Sequence, residues 1–225
     1  MYIQPPQESP TWRGLPVQLS SYEVESSYLQ RIYDLMTDCL TIHPRWSVFR
    51  FDLRVPQGNI LPLGAITDFF ESLRSQLESA LATNLRLGKR GYDPMLRYVW
   101  VREWNNACFP HYHVALLLNR DAYFSLGDYS RLHLTDCNYD EMLSGRICKA
   151  WGAALDIDWR QAQVGVYFPV RPVSALTRHG PLSDRQFYGV FHRLSYFAKL
   201  HTKRYGEGGR NFGMSQVSRI QASQD

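Results

Sequence analysis

The sequence predicts an α+β fold, an antiparallel sheet with helices packed mainly on one face. Three observations lead there. The apolar periodicity changes along the chain in the order α-β-α-β-β-α-β-α. Two of the strand-like segments are consecutive and joined by a short polar link, which makes a central hairpin. The helical segments carry apolar stripes on one side only, so each must cover another layer. The 225 residues fit one domain with a helical appendage, and 44% hydrophobic content excludes a disordered chain.

Residues 1–21 are expected to form a flexible arm, because prolines break up residues 1–19 and no apolar period runs through them. Ser20 and Glu23 have capping-box spacing and open a helix to about Leu40, with Tyr28, Leu29, Ile32, Leu35 and Met36 on one stripe. His43-Pro44 ends it. Trp46–Val55 alternates, with Val48, Arg50, Asp52 and Arg54 on one face and Phe49, Phe51, Leu53 and Val55 on the other, as in a half-buried strand. Pro56, Gly58 and Pro62 mark a loop before a helix over 66–86, whose stripe runs through Phe69, Phe70, Leu73, Leu77, Leu81 and Leu85.

Leu96–Trp104 and Tyr112–Leu118 are the hairpin strands, joined through Asn105-Asn106-Ala107. A helix near 139–154 buries Met142, Leu143, Ile147, Ala150 and Trp151. Gln163–Phe168 reads as a further strand. Ser183 and Gln186 form a second capping box before a helix running to about Lys203. The last twenty residues are glycine-rich and polar, and 217–225 read as a flexible tail.

Four cysteines with no C-x-x-C pair argue against a zinc knuckle. No apolar run reaches transmembrane length and no secretory pattern opens the chain, so a cytoplasmic protein with reduced thiols and no membrane partner is expected. A formal charge of +4 tolerates a nucleic-acid partner without demanding one.

Three groups of residues carry chemistry. His111-Tyr112-His113 opens a strand, where residues two apart share a face and both imidazoles can meet one metal ion. Two hydrogen-bonded strand-start histidines would look the same. Glu103, on the preceding strand, falls beside them if the hairpin forms. Two imidazoles and a carboxylate suit Mn2+ or Mg2+, with zinc also compatible. Asp52 or Glu141 competes with Glu103 as third ligand. Tyr196 and Lys199 are three apart and share a helix face, with His192 and Lys203 extending the stripe. A phenol is a covalent nucleophile once activated, and a nearby ammonium neutralises a phosphate. An aromatic packed into the core beside a solvated lysine is the plainer reading of the same spacing. From Arg171 to Ser215 eight Lys or Arg residues face only Asp184 and Glu207, which suits a phosphate backbone.

Glu103, the His111–His113 pair and Tyr196-x-x-Lys199 together resemble the HUH rolling-circle replication initiators. RFDLRVP at 50–56, HYHVALLLN at 111–119, AW at 150–151, LSYFAKLHTK at 194–203 and RNFGMS at 210–215 resemble the inovirus-type replication proteins and their prophage relatives of the YagK/YfjJ kind. The likeness spans about residues 22–216. Phe51-Asp52-Leu53 stands where many rolling-circle proteins carry a threonine-rich motif, and only one tyrosine fits the helix motif.

The resemblance implies a central antiparallel sheet of about five strands, related to RNA-recognition and ferredoxin-like folds. It implies a metal held by Glu103, His111 and His113, with Tyr196 and Lys199 catalytic. The expected activity is nicking of single-stranded origin DNA or an origin hairpin, leaving a 5′-phosphotyrosine and a free 3′-OH. Arg50, Arg54, Arg193, Lys203, Arg204 and Arg210 are the expected DNA contacts. Host helicase and polymerase are candidate partners, because the chain has no Walker motif. A monomer or weak dimer is expected. The rival expectations are a DNA-binding replication or regulatory protein of a prophage that does not cleave, and a non-haem iron site built on the same two histidines and carboxylate.

Overall fold

A computed structural model describes residues 10–18, 24–104, 109–132, 139–200, 203 and 209–217. Its strands are β1 (Thr11–Trp12), β2 (Leu15–Pro16), β3 (Arg45–Leu53), β4 (Arg97–Glu103), β5 (His111–Asn119), β6 (Val166–Tyr167), β7 (Val173–Thr177) and β8 (Phe212–Met214). Its α-helices are α1 (Ser26–Ile42), α2 (Ala65–Arg86), α3 (Leu143–Leu155), α4 (Trp159–Ala162) and α5 (Ser183–Ser195). β1 and β2 form a hairpin of their own. The other six strands make one antiparallel sheet in the order β6-β3-β5-β4-β8, with β7 on the same edge of β3 as β6.

The central hairpin is as expected, and the α+β class with it. The placement of the helices is not. One core joins Phe49, Phe51 and Leu53 of β3, Val114, Leu116 and Leu118 of β5, and the apolar sides of α2 and α3. A second core lies across the sheet, where Val48, Val99, Val101, Ala115 and Leu117 meet α1 and α5. Helices therefore cover both faces rather than mainly one. The physical sign was the unalternating run YHVALLL, since a strand buried on both sides has no polar face to show. β5 is buried at every position, and β3 is mostly buried on both faces instead of half-buried.

Local chemistry accounts for the other differences. α1 starts at Ser26, where the Glu25 carboxylate accepts from the Ser27 N–H and hydroxyl; the expected Ser20–Glu23 cap lies in residues 19–23, outside the described residues. The expected arm is not loose over residues 10–18. It turns into the β1–β2 hairpin and buries Leu15 and Val17 in the second core. Gln163–Phe168 is a 3-10 turn followed by the two residues of β6. The Ser183–Gln186 box does not form, because Gln186 accepts from the Thr177 hydroxyl at 2.6 Å and the Ser183 hydroxyl donates to the Gly180 carbonyl.

α5 stops at Ser195 rather than Lys203. It tightens into a 3-10 turn at Tyr196–Ala198, and Lys199 is extended. The reason is tertiary: the Glu25 N–H takes the Ala198 carbonyl at 2.8 Å, and Val24 bridges to Lys199. β8 lies on Trp100 through Gly213, where an added Cβ would come within 2.5 Å of the indole. None of the helices among the described residues is long and apolar enough to cross a membrane. Cys39 and Cys148 are buried free thiols, pushed up to about 12 by burial.

Candidate metal centre and nucleophile

Strand register assembles the site. In β5 the alternation turns His111 and His113 toward the α1/α5 side. The β4–β5 pairing sets Glu103 opposite His111, and the β3–β5 pairing sets Asp52 opposite His113. Four ionisable side chains from three strands thus meet under α5, all of them buried.

The donor atoms converge. His111 Nε2 and His113 Nε2 are 3.2 Å apart, and Glu103 Oε2 is 3.4 Å from His113 Nε2. One ligand atom from each of Glu103, His111 and His113 lies within 4.8 Å of the others. Glu103 has no exposure at all. A carboxylate that deep is costly to hold unless a cation or a strong donor faces it. Two imidazoles and a carboxylate around one point fit a divalent cation.

Asp52 is not part of that donor triangle. Its Oδ1 is 2.6 Å from His113 Nδ1, so the carboxylate accepts a hydrogen bond from Nδ1–H and turns Nε2 toward His111 and Glu103. Asp52 orients a ligand rather than competing with Glu103. Glu141 is exposed on a 3-10 turn and takes no part in the cluster. Burial works to lower the His113 pKa, but the hydrogen bonds its ring donates to Asp52 and Glu103 outweigh it and the net shift is upward. His111 moves the other way, to about 4, through burial and then the charge of His113.

Tyr196 sits at the same place. Its ring centroid is 5.4 Å from that of His113, edge to face, and Phe197 stacks on His113 at 6.2 Å. Lys199 Nζ lies 5.2 Å from the centre of the Tyr196 ring, and the Arg50 guanidinium lies 5.4 Å from it. Arg193 neighbours Arg50, donating to the Ser174 hydroxyl at 2.9 Å; burial and then the Arg50 charge lower its pKa. Among the described residues neither arginine has a carboxylate partner. Arg54 is close enough for its charge to act on His111.

The remaining expected contacts separate. Lys203 is buried beside Tyr28 with its ammonium on the Lys199 carbonyl, and burial lowers its pKa to about 8, so it is not presented at the surface. Arg204 lies outside the described residues. Arg210 is on the other side of the sheet, in a cleft with Trp100 and Tyr112. Asp52 as orienting group and Phe197 as stacking partner were missed. An acid inside an otherwise aromatic strand was the only local signal for the first.

A model of the YagK/YfjJ C-terminal domain matches residues 7–215. The chain belongs to that family. It is 33% identical over 200 residues to the uncharacterized protein YagK of Escherichia coli K12, covering 84% of this chain and 92% of that one. It is 30% identical over 203 residues to the uncharacterized protein YfjJ of the same organism, covering 85% and 94%. No solved structure matches this member of the YagK/YfjJ family.

Proposed function

We propose that the protein is an HUH-type endonuclease that nicks single-stranded DNA and joins itself to the 5′ end through Tyr196. The observation that carries this reading is the meeting of the Glu103–His111–His113 triangle with the Tyr196 ring, 5.4 Å from His113 on the same side of the sheet. Mn2+ or Mg2+ held by these three residues would supply Lewis acidity to one scissile phosphate and fix its orientation. Asp52 keeps His113 in the ligating tautomer. Tyr196 gives up its phenolic proton to water, its oxygen bonds to phosphorus, and the bond to the 3′ oxygen breaks. That oxygen takes a proton and leaves as a 3′-OH, able to prime synthesis by a host polymerase. Lys199 balances charge on the phenolate, while Arg50, Arg54 and Arg193 hold neighbouring phosphates.

The test is incubation with circular single-stranded DNA and Mn2+, followed by a denaturing gel. A covalent protein–DNA adduct is expected from the native chain and none from Tyr196→Phe. EDTA, or His113→Ala in a protein that still melts cooperatively, should reduce the adduct by orders of magnitude. DNA binding with no adduct under any divalent cation would instead support a prophage-type DNA-binding protein that does not cleave.

A further inference from the structure

The face of the sheet opposite the cation site holds a cleft of about 730 Å3 between the start of α2, β4 and the β8 edge. That size lies within the range of small-molecule sites, roughly 300–1,000 Å3. Its floor is aromatic. Phe70 and Tyr98 stack with centroids 3.6 Å apart at 12°, and Trp100 meets Tyr112 edge to face at 5.7 Å. Its rim is cationic: Arg74 and Arg210 are exposed, and Arg102 is held by the Gly209 carbonyl and the Asn211 side chain. Among the described residues Glu71 is the one acid in the lining. Among the described residues no carboxylate pairs with Arg74 or Arg210. Flat aromatic rings bordered by the exposed guanidinium groups of Arg74 and Arg210 match a polyanion that carries aromatic bases.

The cleft adjoins the cation site through the sheet. Arg102 and Tyr112 are cross-strand partners, one position along from the pair Glu103 and His111. Alternation sends neighbouring side chains to opposite faces, so the same two strands serve both sites. We infer that this cleft receives unpaired bases of the DNA strand whose scissile phosphate lies at the cation site, with the strand passing round the end of the sheet. The inference rests on single-stranded DNA being the substrate. It assigns Arg74 and Arg102 a DNA role, and moves Arg210 from the nucleophile's surroundings to a separate base-holding subsite.

The experiment is photocrosslinking of the full chain to an oligothymidylate carrying 5-iodouracil, with peptide mapping. Attachment is expected at Tyr98, Trp100 or Tyr112. The exposed pair Arg74→Glu with Arg210→Glu should lower oligothymidylate affinity about tenfold at moderate salt and abolish that attachment, with melting unchanged. Arg74→Lys with Arg210→Lys should retain both. Crosslinks mapping elsewhere, or affinity indifferent to charge reversal, would overturn the inference. Equal labelling by 5-iodo-deoxyuridine monophosphate would also overturn it, in favour of a free-nucleotide site. A protein with His111→Ala and His113→Ala should still crosslink in the cleft. Cleft labelling without any cleavage then counts against the nuclease reading alone, and cleavage without cleft labelling counts against the subsite alone.

Discussion

His113 is the residue on which the site turns, because it meets Asp52, His111, Glu103, Tyr196 and Phe197. Asp52 fixes its tautomer, His111 and Glu103 share its Nε2, and Tyr196 and Phe197 contact its ring. Removing a carboxylate that orients a ligating histidine lowers metal affinity by roughly 10–100-fold. Asp52→Asn should show that loss by calorimetry with Mn2+ while the fold survives. The pH dependence has a definite sign. A cation competes with the His113 proton, and that proton is held more tightly than on a free imidazole. Mn2+ affinity should therefore begin to fall at higher pH than an ordinary histidine dictates, and Asp52→Asn should move the onset downward. In the metal-free protein the raised pKa adds stability that is fully present below the unfolded value and is lost as pH rises through the folded one. The convergence of Glu103, His111 and His113 could be read from sequence because two-residue alternation is local. The job of Asp52 could not, since it depends on register with a strand 61 residues away.

At the scale of elements, the turn bearing Tyr196 is held from outside its own helix. The Ser195 hydroxyl accepts from the Gln18 N–H at 2.7 Å and donates to the His192 carbonyl, while Glu25 and Val24 hold Ala198 and Lys199. Ser195→Ala removes both bonds, and the net loss of a hydrogen bond costs about 0.5–1.5 kcal/mol. For a chain of this length each kcal/mol lowers Tm by about 2–4 °C. Scanning calorimetry should show a decrease of that order, with a larger fall in adduct yield than in Mn2+ binding. The early end of α5 was hidden in the sequence because LSYFAKLHTK continues a helical stripe, and what stops it comes from residues 24 and 25. β7 was hidden for a related reason. Its five residues are short and mixed in polarity, and they become a strand because β3 offers an edge.

The whole molecule is a sheet between two helical layers, with one core behind each face. Trp151 belongs to the α3 side, fully buried, yet its indole N–H donates to the Arg54 carbonyl at 2.8 Å at the site end of β3. Trp151→Ala should cost about 3–5 kcal/mol, seen as a lowered denaturant midpoint. Trp151→Phe should cost less, since it keeps most of the buried volume and loses the hydrogen bond and the second ring. The α+β class and the central hairpin were legible because they are written in apolar periods. The second helical layer was legible only in the unalternating β5, and the destination of Arg210 was not legible at all. Which face a C-terminal segment reaches is settled by its docking on β4, not by its own residues.

The hairpin near the N-terminus has a consequence for a chain cut just after it. A protease that clipped between residues 18 and 24 would leave Glu103, His111 and His113 in place, together with the Val24 and Glu25 contacts to the turn of Tyr196, and would separate from them only the residues that carry the Gln18 bond to Ser195. The trimmed chain should bind Mn2+ as the intact one does, and give a lower yield of the DNA adduct.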